Sequence, residues 1–298
     1  MGVIKMANLV NGNDIFADAR AHHYAVGAYN INNLEWTRAI LKAAKDTQTP
    51  VLVQVSMGAA RYMGGYKFVK DMVEDQVDSM GVNVPVILHL DHGDYEAALE
   101  CIKLGYPSVM FDGHQLPIAE NYQKTKEIVK LAHAQNISVE AEIGKIGENQ
   151  NAASGELATV EDAVRFAQIG VDKLACGIGN IHGIYPADWQ GLNFQRLDEI
   201  ANAISIPLVL HGGSGIHRDQ VERAISLGIS KVNINTEFQL AFQQATRKYI
   251  EEGHDLDKEH KGYDPRKLLL PGTEAITASM KEMIQWLGTP SVDEISQD

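Results

Sequence analysis

The chain has 298 residues, 45% of them hydrophobic and 22% charged, with a formal net charge of −13. That length suits one large α/β barrel or two modest domains. The acidic balance excludes nucleic acid and anionic membrane surfaces as partners, because both are gripped by clustered Lys and Arg.

Two cysteines, Cys101 and Cys176, are too few for a disulfide framework or a cysteine-rich zinc site, and both fall in patterns that read as buried core. Met1–Met6 lacks the apolar stretch of a signal peptide, and Met6 stands where a myristoylation motif needs Ser or Thr. No apolar run reaches the length of a membrane span. The expectation is a cytoplasmic, soluble protein.

In chain order, short apolar and β-branched runs recur at Ala25–Tyr29, Val51–Val55, Val84–Leu90, Ser108–Phe111, Ile137–Ile143, Val171–Cys176, Pro207–Leu210 and Lys231–Ile234. Segments of helical periodicity follow them at Leu34–Lys45, Tyr66–Met80, Tyr95–Leu104, Ile118–Ala134, Val160–Ile169, Phe194–Ala203, Arg218–Leu227 and Thr236–Glu251. Eight strand–helix alternations joined by right-handed crossovers predict a (β/α)8 TIM barrel. A doubly wound open sheet is the rival, but no Gly-x-Gly-x-x-Gly opens a helix after any strand. No linker interrupts the series, so residues 1–298 read as one domain. Gly144–Gly155 reads as a mobile loop and candidate lid, and Gly253–Lys261 as a charged loop. A last amphipathic helix is expected around Thr273–Leu287, and Gly288–Asp298 as a frayed tail.

Active sites of such barrels form at the carboxyl ends of the strands. Those ends carry Asn30, Ser56, Asp91 with His92, Asp112, Glu142, His182, His211 and Asn233. The run Val84–Leu88 is apolar enough for burial on both faces, yet it leads into His89-Leu90-Asp91-His92-Gly93. Unpaired burial of such groups costs several kcal/mol, so they must be hydrogen-bonded, metal-bound or wet. Three imidazoles arriving from different strands (His92, His182 and His211) suit a catalytic zinc with an open fourth position. Hydrogen-bonded core histidines are the plainer alternative. His89 shares strand parity with Asp91 and is expected to support the site from within the barrel. His114 is close enough to the tips to stay open, and the remaining histidines read as surface or loop residues. Two loops, His211-Gly212-Gly213-Ser214-Gly215 and Asn233-Ile234-Asn235-Thr236-Glu237, lead from strands seven and eight into helices. Barrels commonly hold phosphate there, and ordinary helix capping is the alternative.

Together with Ser138–Gly144, Gly177–Gly183, Lys231–Glu237 and Asp264-Pro265-Arg266, these motifs resemble the class II, metal-dependent fructose-1,6-bisphosphate aldolases over about residues 8 to 287. The resemblance implies a zinc ion on His92, His182 and His211, with Asp112 and Glu142 near it, able to hold a second divalent cation or an alternative zinc position; a monovalent cation is the other candidate. It implies Asp91 as the acid/base at the C4 hydroxyl and Asn233 beside the reacting carbons. Gly183, Gly212, Gly213, Ser214, Asn235 and Thr236 would cradle the phosphate of dihydroxyacetone phosphate. Asn30 and Ser56 would face the other half of the sugar. Arg266 would reach the distal phosphate of a neighbouring subunit, which implies a homodimer or homotetramer. No Schiff-base lysine is needed, and none stands at a strand tip; Lys231 is expected to begin strand eight, at its wrong end.

Two departures stand out. Where the family carries a Gly-Gly-Glu-Glu-Asp run whose glutamate removes the C1 proton, this chain reads Gly147-Glu148-Asn149-Gln150-Asn151. Glu148 is left as the candidate for that role. Where the family reads Asp-Gly-Ser-His, this chain reads Asp112-Gly113-His114-Gln115. The leading expectation is reversible cleavage of fructose 1,6-bisphosphate in glycolysis. The alternatives are a related enzyme acting on tagatose 1,6-bisphosphate, another phosphorylated ketose or a deoxy-sugar acid, and a weakly active metal- and phosphate-binding protein with a regulatory or adhesion role.

Overall fold

Strands that are apolar on both faces need cover on both, and parallel pairing with crossover helices supplies it. In the computed structural model, which describes residues 9–148 and 155–295, the strands form a closed parallel barrel. They are β1 (Val26–Asn30), β2 (Val51–Ser56), β3 (Val86–Gly93), β4 (Ser108–Phe111), β5 (Ser138–Ile143), β6 (Lys173–Cys176), β7 (Leu208–Leu210) and β8 (Ile229–Ile234). Each pairs with the next, and β8 returns to β1 through Val26↔Lys231 and Ala28↔Asn233.

Helix α1 (Asn13–His22) precedes β1, and α2 (Leu34–Thr47) follows it. After β2 come α3 (Met57–Met63) and α4 (Tyr66–Ser79). Single helices then follow the other strands: α5 (Tyr95–Leu104), α6 (Ile118–His133), α7 (Val160–Gln168), α8 (Phe194–Ala203), α9 (Arg218–Ser226) and α10 (Thr236–Glu251). The chain ends in α11 (Pro265–Leu268), α12 (Leu270–Leu287) and α13 (Val292–Ile295). Side chains of Asn33, Ser56, Asp94, Thr159 and Asn193 accept the backbone N–H three residues on, satisfying donors that a helix start leaves unpaired. Helix α12 packs against both α2 and α10. No described helix is long and apolar enough to cross a membrane.

Inside the barrel the side chains change character with height. At the amino end, Phe16 and Ala19 of α1 plug the opening against Val26, Ala28, Leu52 and Ile87. Above them the inward positions turn polar and charged: Gln54, His89, Ser108, Ser138, Glu140, Lys173 and Lys231 are all fully buried. Higher still, towards the carboxyl ends, are Asn30, Asp91, Glu142 and Asn233. Cys101 and Cys176 are buried free thiols.

The expected alternation is present, with four corrections. α12 starts at Leu270, three residues before the expected Thr273, because Pro271 sits in its first turn, where a missing N–H costs nothing. The short α3 was not expected; Ser56 caps it. The tail through Ile295 is docked rather than frayed: Thr289 Oγ1 donates to the Ala25 carbonyl (2.6 Å) and the Val292 N–H to that of Gln48 (2.8 Å). Lys231 is the third residue of β8, not its first. Of the expected loop Gly144–Gly155, residues 149–154 lie outside the described residues. Its base is pinned by paired 2.8 Å hydrogen bonds between Lys145 and Glu156.

Candidate active site

The site is built where β3 breaks its regular register. The β3–β4 pairing shifts between Leu90 and Gly93, and His92 takes a left-handed backbone (φ 48°). That conformation costs a non-glycine residue roughly 1–2 kcal/mol, and such cost is concentrated at functional sites. His211 follows β7 directly. His182 lies six residues beyond the end of β6 in a loop fixed at both sides: its N–H donates to the Gly147 carbonyl (2.8 Å), while Asn180 Nδ2 donates to that of His211 (2.9 Å). The Tyr185 hydroxyl ties the same loop to the next, accepting the Ile181 N–H and donating to the Gly212 carbonyl.

The three imidazoles offer nitrogens within 4.8 Å of one another, and so do His92, Asp112 and Glu142. His92 Nδ1 donates to Asp112 Oδ2 (2.7 Å), which turns Nε2 toward His211 Nδ1, 2.8 Å away. His211 Nε2 points down to Glu140 Oε1 (3.0 Å). His182 Nε2 and Glu142 Oε2 are buried with no hydrogen-bond partner. Buried polar atoms are ordinarily satisfied; a cation held by the three imidazoles would partner His182, and one held by His92, Asp112 and Glu142 would partner Glu142. The set therefore fits a divalent transition metal, three imidazoles being a sound donor set for one.

Electrostatics point the same way. Burial opposes charge on His92, but the Asp91 carboxylate, the hydrogen-bonded Asp112 and Glu142 outweigh it and raise its pKa to about 10. Burial and the neighbouring His92 and His211 press His182 down to about 3. Burial, with repulsion from Asp112, lifts Glu142 to about 8. Asp112 is held well below the usual carboxylate range: burial opposes its ionisation, but hydrogen bonds from His114 and His92 prevail. His92 and His114 are thus the cationic partners of Asp112, in a cluster where a metal cation would also fit.

Asp91 sits beside this cluster, its Oδ1 3.9 Å from His92 Nε2. It accepts from Asn30 Nδ2 (2.9 Å) on Oδ2 and from Asn233 Nδ2 (3.2 Å) on Oδ1. Gln54 in turn donates to Asn30 Oδ1 (2.7 Å). Burial resists ionisation of Asp91, but His92, His211, Lys231 and the Asn30 hydrogen bond keep its pKa below the ordinary carboxylate value.

A cavity of about 230 Å³ opens on these groups, lined by Asn30, Ser56, Asp91, His92, His182 and His211, with Gly183, Gly212, Ser214, Asn233, Asn235 and Thr236 on its other walls. Asn32 also lines it and was not foreseen. Asp112 and Glu142 stand behind His92. Three expected contacts are not in the lining. The Gly213 N–H is already donated to the Asn233 carbonyl (2.9 Å). Arg266 is 88% exposed and forks onto Asp264. Glu148 is exposed at the edge of the loop. Gly212 has φ +67°, and a Cβ there would fall 2.0 Å from the Ile181 carbonyl oxygen, so only glycine fits. The Ser214 hydroxyl accepts the Asn235 and Glu237 N–H groups (3.2 Å each), so the capping role and the joining of the two loops coincide.

Sequence reasoning missed Glu140 and gave Lys231 no role. The signal was present as alternation: Ser138, Glu140 and Glu142 share one face of β5, as Lys231 and Asn233 share one face of β8. His89 lies below the site as expected, bonded to Ser108 (2.8 Å) and 3.4 Å from Lys231 Nζ. His114 bonds Asp112 Oδ1 (2.6 Å).

Residues 10–291 match the class-II fructose-bisphosphate aldolase family. The chain belongs to that family. It is 51% identical over 287 residues to a fructose-bisphosphate aldolase of Streptococcus pyogenes, covering 94% of this chain and 98% of that one. It is 49% identical over 283 residues to one of Mycoplasma pneumoniae, with the same coverage. Among solved structures, a protein of Coccidioides immitis described as a candidate fructose-1,6-bisphosphate aldolase superposes with a TM-score of 0.84 at 26% identity, over 96% of this chain and 98% of that one.

Proposed function

We propose that the chain catalyses the reversible aldol cleavage of fructose 1,6-bisphosphate to dihydroxyacetone phosphate and glyceraldehyde 3-phosphate, a glycolytic reaction in a cytoplasmic setting, with zinc held by His92, His182 and His211. The observation that carries this reading is the meeting of three imidazole nitrogens beside an oriented carboxylate, Asp91. When bound, the zinc supplies Lewis acidity for charge that develops on the substrate's oxygens. No lysine lines the cavity among the described residues, so an imine route has no amine to use.

The chain's own groups then divide the work. In cleavage the C3–C4 bond breaks, Asp91 takes the proton of the C4 hydroxyl, and the electron pair stays with the three-carbon ketone half. A carboxylate with a low pKa and two amide donors is ionised and aimed before the substrate arrives. The new carbon–hydrogen bond on the ketone half needs a proton donor, and Glu148 is the candidate. Asn233 holds Asp91 and faces the reacting carbons. The loops carrying Gly183, Gly212, Ser214, Asn235 and Thr236 form the phosphate cradle, with Gly213 securing them from behind. Asn30 and Ser56 receive the other half of the sugar. Arg266, exposed and away from this cavity, suits service to a neighbouring copy in a homodimer or homotetramer.

Dialysis against a chelator should abolish cleavage and added zinc restore it; cleavage that survives chelation overturns the assignment. The departures at Glu148–Asn151 and His114–Gln115 favour one other reading, a related ketose such as tagatose 1,6-bisphosphate. Condensation of dihydroxyacetone phosphate with a panel of aldehydes, and the configuration of each product, decides between them.

A further inference from the structure

Beneath the imidazoles lies an ion pair that the chemistry above does not use. Lys231 Nζ donates to Glu140 Oε2 (2.7 Å), and the other oxygen, Oε1, meets His211 Nε2 at 3.0 Å. All three side chains are 0% exposed. A buried ion pair is weak evidence for stability, since desolvation offsets most of its attraction. This pair has a more specific use. An imidazole that donates one N–H to a carboxylate is locked in one tautomer and one ring orientation, with its other nitrogen free to bind a cation. For His211 the other nitrogen is Nδ1, which faces His92 Nε2 at 2.8 Å.

We infer that Glu140, clamped by Lys231, is the positioning residue that presents Nδ1 of His211 to the cation. Lys231 occupies one carboxylate oxygen and leaves the other for His211, so the carboxylate cannot turn away or accept from a second ring. His89, 3.6 Å from Glu140 Oε2 and bonded to Ser108, closes the remaining side. The inference rests on the proposed metal site and adds to it which nitrogen binds and what holds it.

The experiment uses the full chain, zinc, and competition with a chromophoric chelator. Glu140→Gln keeps the shape and loses the charge; it should weaken zinc binding about 10- to 100-fold. The same loss should persist in Glu140→Gln/Lys231→Met, where the lysine left unpaired has been removed and the melting temperature should recover. A zinc affinity within threefold of wild type in either variant overturns the positioning role, as does recovery of affinity together with stability in the double variant. A second measurement needs no variant: the long-range 15N–1H spectrum of zinc-loaded wild type should show His211 protonated on Nε2 and metal-bound through Nδ1. The opposite pattern overturns the inference. Failure of wild type to bind zinc at all would overturn the metal reading itself, an outcome distinct from both.

Discussion

Asp91 is the residue whose environment speaks most directly of chemistry. Two amide groups aim its oxygens, and the adjoining cationic and imidazole groups keep it charged against the cost of burial. Asp91→Asn keeps the shape and removes the base, so kcat should fall about 10²–10⁴-fold, measured by coupled assay. Zinc affinity by chelator competition should stay within a few-fold, because Asp91 lies outside the set of imidazole donors. Lys173 makes the opposite case, a charge with no work in the mechanism. It is fully buried on Ser138 and near the Phe16 ring, and burial lowers its pKa from 10.5 to about 8, with Glu140 resisting. Below about pH 8 the lysine is charged in both folded and unfolded chains, and the penalty of burying it is present in full, about 3 kcal/mol at most. Between pH 8 and 10.5 the folded chain has released the proton and the unfolded chain has not, so stability rises with pH. Lys173→Met should therefore stabilise the protein by about 1–3 kcal/mol at pH 7. That gain should shrink as urea denaturation is repeated toward pH 10.

At the scale of elements, strands and helices were legible because their periods were clean and their caps were in place. Asp94 and Gly105 bracket α5 exactly as far as Tyr95–Leu104 was expected to run. The proposed ligands His92 and His211 were legible for the same reason, as polar groups that end apolar strands. The start of α12 at Leu270 is less legible, because proline ends helices as readily as its fixed φ opens them. Alternation along β5 marks Glu140 as an inward position, but its role depends on His211, just after β7, and Lys231 in β8, which are far away in sequence. Arg266 and Glu148 were carried by resemblance, and neither lines the cavity of the single chain. The loops themselves allow a sharper test. Gly212→Ala would drive a methyl group against the Ile181 carbonyl and separate the His182 and His211 loops. It should cost about 1–3 kcal/mol, raise KM and weaken zinc binding. Gly253→Ala, also at positive φ but with nothing within 4 Å, should cost about 1 kcal/mol and leave KM unchanged.

For the whole molecule, the proposed cation, joining β3, the loop after β6 and the end of β7, would bind the folded chain and have little hold on the unfolded one. Melting temperature should accordingly rise with zinc concentration, by the equivalent of about 4 kcal/mol at a thousand times the dissociation constant. Scanning calorimetry across a buffered zinc series checks this, and a flat response would contradict a cation shared among these elements. His92 and His211 are 119 positions apart in the chain, with His182 between them. A growing polypeptide emerging from the ribosome therefore owns no complete set of the three imidazoles until 211 of its 298 residues, about seven-tenths, have been made. Capture of the proposed metal would wait on residues made well after the first ligand strand, and a bound ion would certify that distant parts of the translated chain have found their places.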